Sequence, residues 1–164
     1  MLRVIFVVCL SDFVFLPSKR LRPKVIFLIL KMLGLEITER HQKLALAVEL
    51  LHNATLIHDD ILDEADLRRG CQTFNSKFDS KLAVLSGDYL LSISLKKLSE
   101  LENPEIINIF SNNIQKMVKG EIEQYFERGE IPTLQNYLDK NINKTALLFL
   151  SGVQSALILS NYNE

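Results

Sequence analysis

Asp59-Asp60-Ile61-Leu62-Asp63, followed by Arg68-Arg69-Gly70, is where this chain concentrates residues able to do chemistry. Carboxylates at i and i+4 share one helix face, so Asp59 and Asp63 form a pair of hard oxygen donors. Magnesium in phosphate chemistry is usually held by one or two carboxylates together with phosphate oxygens and water. Arginine meets phosphate as a planar bidentate fork, so Arg68 and Arg69 add grips for an anion whose charge a metal only partly cancels. Taken by spacing alone, an acidic helix end beside an ordinary solvated basic turn explains the same residues.

The element that must carry the motif shifts that balance. From Leu44 to Leu62 the chain is mostly apolar, contains no glycine or proline and lacks a clean polar face, which predicts a buried helix roughly 30 Å long. At about 100° per residue, His52, Thr55, Asp59 and Asp63 fall within a stripe under about 90° wide. Polar groups gathered on one side of a buried helix are expected to line a cavity, because burying a carboxylate without partners is costly. His52 alone also reads as a satisfied core histidine. His58 points to a different side and is the weaker ligand candidate.

The run Leu56-Ile57-His58-Asp59-Asp60-Ile61-Leu62-Asp63-Glu64-Ala65-Asp66-Leu67-Arg68-Arg69-Gly70 resembles the first aspartate-rich motif of the trans-polyprenyl diphosphate synthases. Four further segments resemble elements of that family in the right order. Ser18-Lys19-Arg20-Leu21-Arg22-Pro23 is similar to its GGKRLRP loop and Ser86-Gly87-Asp88-Tyr89-Leu90-Leu91 to its GDYLL helix start, while Gly120-Glu121-Ile122-Glu123-Gln124 is similar to GExxQ and Lys144-Thr145-Ala146 to KTA.

The resemblance implies an all-α, isoprenoid-synthase-type helical bundle and a magnesium-dependent prenyltransferase. Asp59 and Asp63 would bind Mg2+ bridging to the allylic diphosphate, with Asp60 shaping the same acidic cluster. Arg68 would hold the allylic diphosphate, whereas Lys19, Arg22, His52 and Arg69 would hold isopentenyl diphosphate. Lys144 and Thr145 would act near the bond that breaks, and Glu121 and Gln124 would line the site. Product length in the family depends on the residues just before the motif, here Ala54 and Thr55, whose small side chains imply a long-chain product of the octaprenyl type. Ala54 also reads as a residue that merely lets two helices pack closely.

Two departures from the family stand out. No second aspartate-rich motif follows Lys144, so the chain is expected to be a truncated, N-terminal half. Pro17 and Ser18 also replace two glycines before Lys19, and Pro17 removes an amide donor. The alternative reading is therefore a non-catalytic fragment or regulatory subunit. The implied partners are a second copy in a homodimer or a chain supplying the missing half.

Composition agrees with one helical domain over residues 1–164, with residues 1–16 atypical. The 164 residues are 48% hydrophobic and 24% charged, enough for one core. A net charge of −1 gives no reason to expect nucleic acid. Cys9 and Cys71 lie far apart without metal-ligand spacing, which suits a reducing cytoplasm. Residues 1–16 read as a buried first helix or an altered start. A signal peptide is the weaker alternative, since Asp12 interrupts the apolar run, which is also too short to span a membrane.

Helices are expected at residues 17–33, 38–64, 81–101 and 104–128, then a short one to about residue 138 and a last one from 144, with Thr38 as an N-cap and breaks at Gly34, Arg69–Cys71 and Gly129–Pro132. An HD-type phosphohydrolase would need more histidines than His41, His52 and His58. A terpene cyclase shares DDxxD but not the basic residues at Lys19, Arg22, Arg68 and Arg69.

Overall fold

Helix signals and their caps account for almost every element of the computed structural model, which describes residues 10–14, 18–68, 70–126 and 133–162. Residues 10–14 are helical. They are followed by α1 (Leu21–Met32), α2 (Glu39–Leu62), a two-stranded pair β1 (Leu67–Arg68) and β2 (Cys71–Gln72), α3 (Phe74–Lys77) and α4 (Ser80–Ser99). Next come α5 (Pro104–Phe126), α6 (Leu134–Asn141), one π-helical turn (Ile142–Ala146) and α7 (Leu147–Leu159). The all-α expectation holds, with one small antiparallel hairpin added, in which Leu67 pairs with Gln72 and Arg68 with Cys71.

Ends are set by side chains that satisfy orphan backbone groups. Asp79 Oδ1 accepts from the Leu82 amide at 2.7 Å and starts α4. Asn103 Oδ1 accepts from the Glu105 and Ile106 amides and starts α5, with Pro104 in its first position. Thr133 caps α6. Helix α1 closes on Gly34, at φ +69°, with the Leu35 amide donating to the Leu30 carbonyl at 2.8 Å, a Schellman closure.

Three boundaries depart from the sequence reading. Helix α1 begins at Leu21 rather than at residue 17, because Arg20 has φ +44°, outside the helical region; Pro17 lies outside the described residues. Thr38 precedes α2, but its hydroxyl lies 2.8 Å from His41 Nδ1 instead of serving a backbone amide. The last two helices are joined through the π turn, not separated. The expected break at Gly129–Pro132, Cys9 and residues 1–9 lie outside the described residues.

The contacts divide the chain into two compact units. In the first, residues 1–20 and 46–97, the core gathers Leu10, Phe13, Leu50, Ala54, Ile57, Phe74, Ala83 and Leu90. Leu10 and Phe13 bear out a buried first helix where it is described. Phe74 meets the Phe13 ring edge to face at 6.3 Å. Ser94 Oγ donates to the Ala47 carbonyl at 2.8 Å, tying α4 to α2.

In the second unit, residues 21–45 and 98–164, α1 and α5 pack on α7. The buried face of α7 presents Ser151, Gly152, Ser155 and Ala156, small residues that admit neighbouring helices closely. Buried His41 joins the start of α2 to the end of α7. The Thr38 amide donates to Nδ1 at 3.1 Å, so Nε2 carries the proton and donates to the Ala156 carbonyl at 3.1 Å. By length and composition the run Leu134–Leu159 is apolar enough to cross a membrane. Its buried face inside the second unit reads instead as a core helix.

Candidate functional site

Helix α2 carries Asp59 and Asp60 in its last turn, with Asp63 directly after it, and that turn holds no basic residue of its own. The carbonyl end of a helix is its negative pole, so each carboxylate there costs about 0.3–1 kcal/mol and the whole end attracts cations. The Asp63 amide still bonds to the Asp59 carbonyl at 2.8 Å, which keeps the two residues one turn apart on one face. Asp59 is half-buried and Asp63 exposed.

Asp60 behaves differently. One residue on, it is rotated about 100° around the helix, and it is buried, at 1% exposure. Its Oδ1 accepts from Arg68 Nε at 2.8 Å and lies 2.7 Å from Arg68 Nη2. Its Oδ2 is buried without a hydrogen bond among the described residues. Asp60 is thus not brought to the face of Asp59 and Asp63; it holds an arginine.

The chain must turn sharply to make that pair. Glu64 takes φ +50°, and the Ala65 amide donates back to the Asp60 carbonyl at 2.9 Å, ending α2 with a Schellman closure on a non-glycine residue. Fully buried Thr73 then fixes the returning loop. Its Oγ1 donates to the Ala65 carbonyl at 2.6 Å and its amide to the Asp66 carbonyl at 3.0 Å, while Asn75 Nδ2 reaches the Ala65 carbonyl. Sequence reasoning missed Thr73, although a threonine before a short helix is a recognisable N-cap signal. Arg69 lies outside the described residues.

Two other candidates lie in the first unit: half-buried His52, two turns before Asp59, and exposed Lys19. His58 is spoken for by α4. Its Nε2 lies 3.3 Å from the Val84 carbonyl and 3.5 Å from Asp88 Oδ1, and its ring covers Gly87 so closely that a Cβ there would collide with it.

The second unit brings together another set. Lys144 Nζ lies 3.1 Å from Glu121 Oε1, joining the π turn to α5. Thr145 is exposed beside it. The π turn closes with the Leu147 amide on the Ile142 carbonyl, five residues back, and such extra-residue turns are frequent at functional sites. Gln124 sits one turn along α5 from Glu121 and has a buried Oε1 without a hydrogen bond among the described residues. Arg22, in the first turn of α1, lies over the Phe149 ring.

A hard divalent cation fits the donors at the end of α2. Asp59 and Asp63 offer oxygen alone, and no group of three or more His, Cys, Asp or Glu side chains suited to a metal exists among the described residues. A cation there would complete its shell with water and the oxygens of a bound phosphate, the usual arrangement for Mg2+.

Residues 5–164 match the polyprenyl synthetase family. A prenyl transferase of Synechocystis is 42% identical over 88% of this chain and 46% of its own length. Solanesyl-diphosphate synthase 2, chloroplastic, of Oryza sativa is 40% identical over 87% of the chain and 37% of its own length. The crystal structure of polyprenyl synthase from Caulobacter crescentus complexed with calcium and isoprenyl diphosphate superposes with a TM-score of 0.87 at 27% identity, over 94% of this chain and 48% of that one. The chain spans about half the length of the curated relatives it matches. Its helices have the isoprenoid-synthase fold, and with the motif residues placed as above, the chain belongs to the polyprenyl synthetase family.

Proposed function

We propose that this chain is the diphosphate-binding part of a magnesium-dependent prenyltransferase that joins isopentenyl diphosphate to an allylic diphosphate and builds a long-chain polyprenyl diphosphate. The observation that carries this reading is the Asp59 and Asp63 pair at the negative pole of α2, beside an arginine locked by Asp60. The relatives point the same way. The rice protein is named for solanesyl diphosphate synthesis, and the Caulobacter enzyme was crystallised with calcium and isoprenyl diphosphate.

Asp59 and Asp63 would hold Mg2+, which would supply charge neutralisation for a departing diphosphate. Arg68, oriented by Asp60, grips the allylic diphosphate with the donors it has left, since two of its five N–H groups serve Asp60. Lys144 and Thr145 meet the charge that develops as the allylic C–O bond breaks, and Glu121 steadies the lysine. Lys19, Arg22, His52 and Arg69 hold isopentenyl diphosphate so that its double bond attacks the delocalised allylic cation, after which a proton leaves. Gln124 accepts from a bound water or a cation. Apolar walls keep water from quenching the cation. The partner is a second copy or a chain supplying the rest of the synthase, and a reducing compartment such as the cytoplasm suits the free thiol of Cys71.

Radiolabelled isopentenyl diphosphate, farnesyl diphosphate and Mg2+ are incubated with the purified chain, alone and mixed with a full-length relative whose own first aspartate pair is inactivated. Elongation in either mixture is expected. No elongation, together with no magnesium-dependent diphosphate binding, sinks the reading.

A further inference from the structure

Arg22 and Phe149 come from opposite ends of the second unit's sequence and meet: the guanidinium carbon lies 4.9 Å from the centroid of the phenyl ring. Both residues are half-buried, each in the first turn of its helix. At that distance the cation sits in the field of the electron-rich ring face, an attraction that grows as water is excluded. An aliphatic side chain of similar size would fill the same space without that field.

The consequence lies in Arg22's freedom rather than its charge. Arginine is long, and fixing it against a ligand costs rotamer entropy that must come out of the binding energy. A ring that already seats the guanidinium removes part of that cost before the ligand arrives, and the planar group keeps the fork geometry that suits bidentate acceptors. Phe149 also follows Thr145 by one turn, so the π turn that carries Lys144 and Thr145 fixes the start of the helix bearing the ring.

We propose that Phe149 is a positioning residue for Arg22, seating its guanidinium to receive the diphosphate of isopentenyl diphosphate. This rests on the role given to Arg22 above. Phe149 touches no substrate in this scheme; it acts through the arginine.

The test is a double-mutant cycle on the chain, with binding of isopentenyl diphosphate in the presence of Mg2+ followed by titration calorimetry and folding of each variant checked by circular dichroism. Phe149→Leu is expected to weaken binding about three- to tenfold, and Phe149→Tyr, which keeps the ring face, to bind within about twofold of the unsubstituted chain. In an Arg22→Ala background, Phe149→Leu is expected to change nothing further. A merely structural Phe149 gives the opposite result: the same weakening with or without Arg22, which overturns the proposal, as does unaltered binding by Phe149→Leu when Arg22→Ala binds weakly. If Arg22→Ala itself binds like the unsubstituted chain, the diphosphate role of Arg22 fails and takes the proposal with it.

Discussion

Arg68 donates from Nε, at 2.8 Å, to the same Oδ1 of Asp60 that its Nη2 approaches to 2.7 Å, and this carboxylate is 1% exposed although its neighbour Asp59 and the next-turn Asp63 are not buried. Three aspartates that look alike in sequence therefore divide their labour. Removing one partner of a largely buried ion pair leaves the other charge uncompensated, so Asp60→Ala is expected to destabilise by about 2–4 kcal/mol, the lower figure reflecting the partial exposure of Arg68. Asp63→Asn should leave stability within about 0.5 kcal/mol, as surface changes do, yet weaken magnesium-dependent diphosphate binding at least about tenfold. Thermal denaturation and titration of the two variants check this. Equal losses of stability would mean that the acidic residues act as one cluster.

The turn that creates the pair stores a small strain. Glu64 sits at φ +50° in the position where glycine is the usual helix terminator, and a side chain there costs roughly 1 kcal/mol. Glu64 is exposed and follows Asp63 directly, so it also adds negative charge to the negative pole of α2. Glu64→Gly should raise stability by about 0.5–1 kcal/mol, read as a shift in the denaturant midpoint at unchanged m-value. A lower midpoint would show that the side chain matters more than its backbone.

Gly87 makes the opposite demand. The His58 ring lies where a Cβ would stand, and the same ring reaches the Val84 carbonyl and Asp88 from the helix that carries the aspartate pair. Gly87→Ala must push the imidazole out of both contacts or move α4, at about 1–2 kcal/mol. His58→Ala opens the space, so the double variant should be no less stable than His58→Ala alone. Additive losses in thermal melting would place the cause in α4's backbone and not in the ring.

These contrasts show what could be read from sequence. The long helices were legible because α2, α4 and α5 run without internal breaks, with Thr38 before α2 and Pro104 opening α5 as start signals; Asp79 and Asn103, which cap α4 and α5, were not singled out. The hairpin was not, since two residues per strand around Gly70, at φ +79°, are too few to leave an alternating pattern. The π turn adds one residue to a helix without any change in composition, so Lys144 was identified but not its register. The types of residue at the site were legible from the motif and its stripe. Asp60's inward turn follows from helix geometry once the buried side of α2 is known, but its pairing with Arg68 depends on the Glu64 turn and the Thr73 anchor, tertiary facts with no local signature.

Ala54 and Thr55 separate two ideas that sequence left joined. Ala54 is 2% exposed and packed in the first unit's core with Leu50, Ile57 and Ala83, so it is a close-packing residue. Thr55 is half-buried, and its hydroxyl donates back to the His52 carbonyl at 2.8 Å, one turn before Asp59 on the polar stripe. A bulky side chain at residue 54 must displace core atoms, whereas one at residue 55 enters the stripe that leads to the aspartate pair. Ala54→Phe should therefore destabilise by about 1–3 kcal/mol, whatever it does to product. Thr55→Phe should leave the melting temperature nearly unchanged and shorten the polyprenyl product by several five-carbon units, resolved by reversed-phase chromatography of the dephosphorylated chains. Products of unaltered length from a stable Thr55→Phe protein would remove residue 55 from the path of the growing tail.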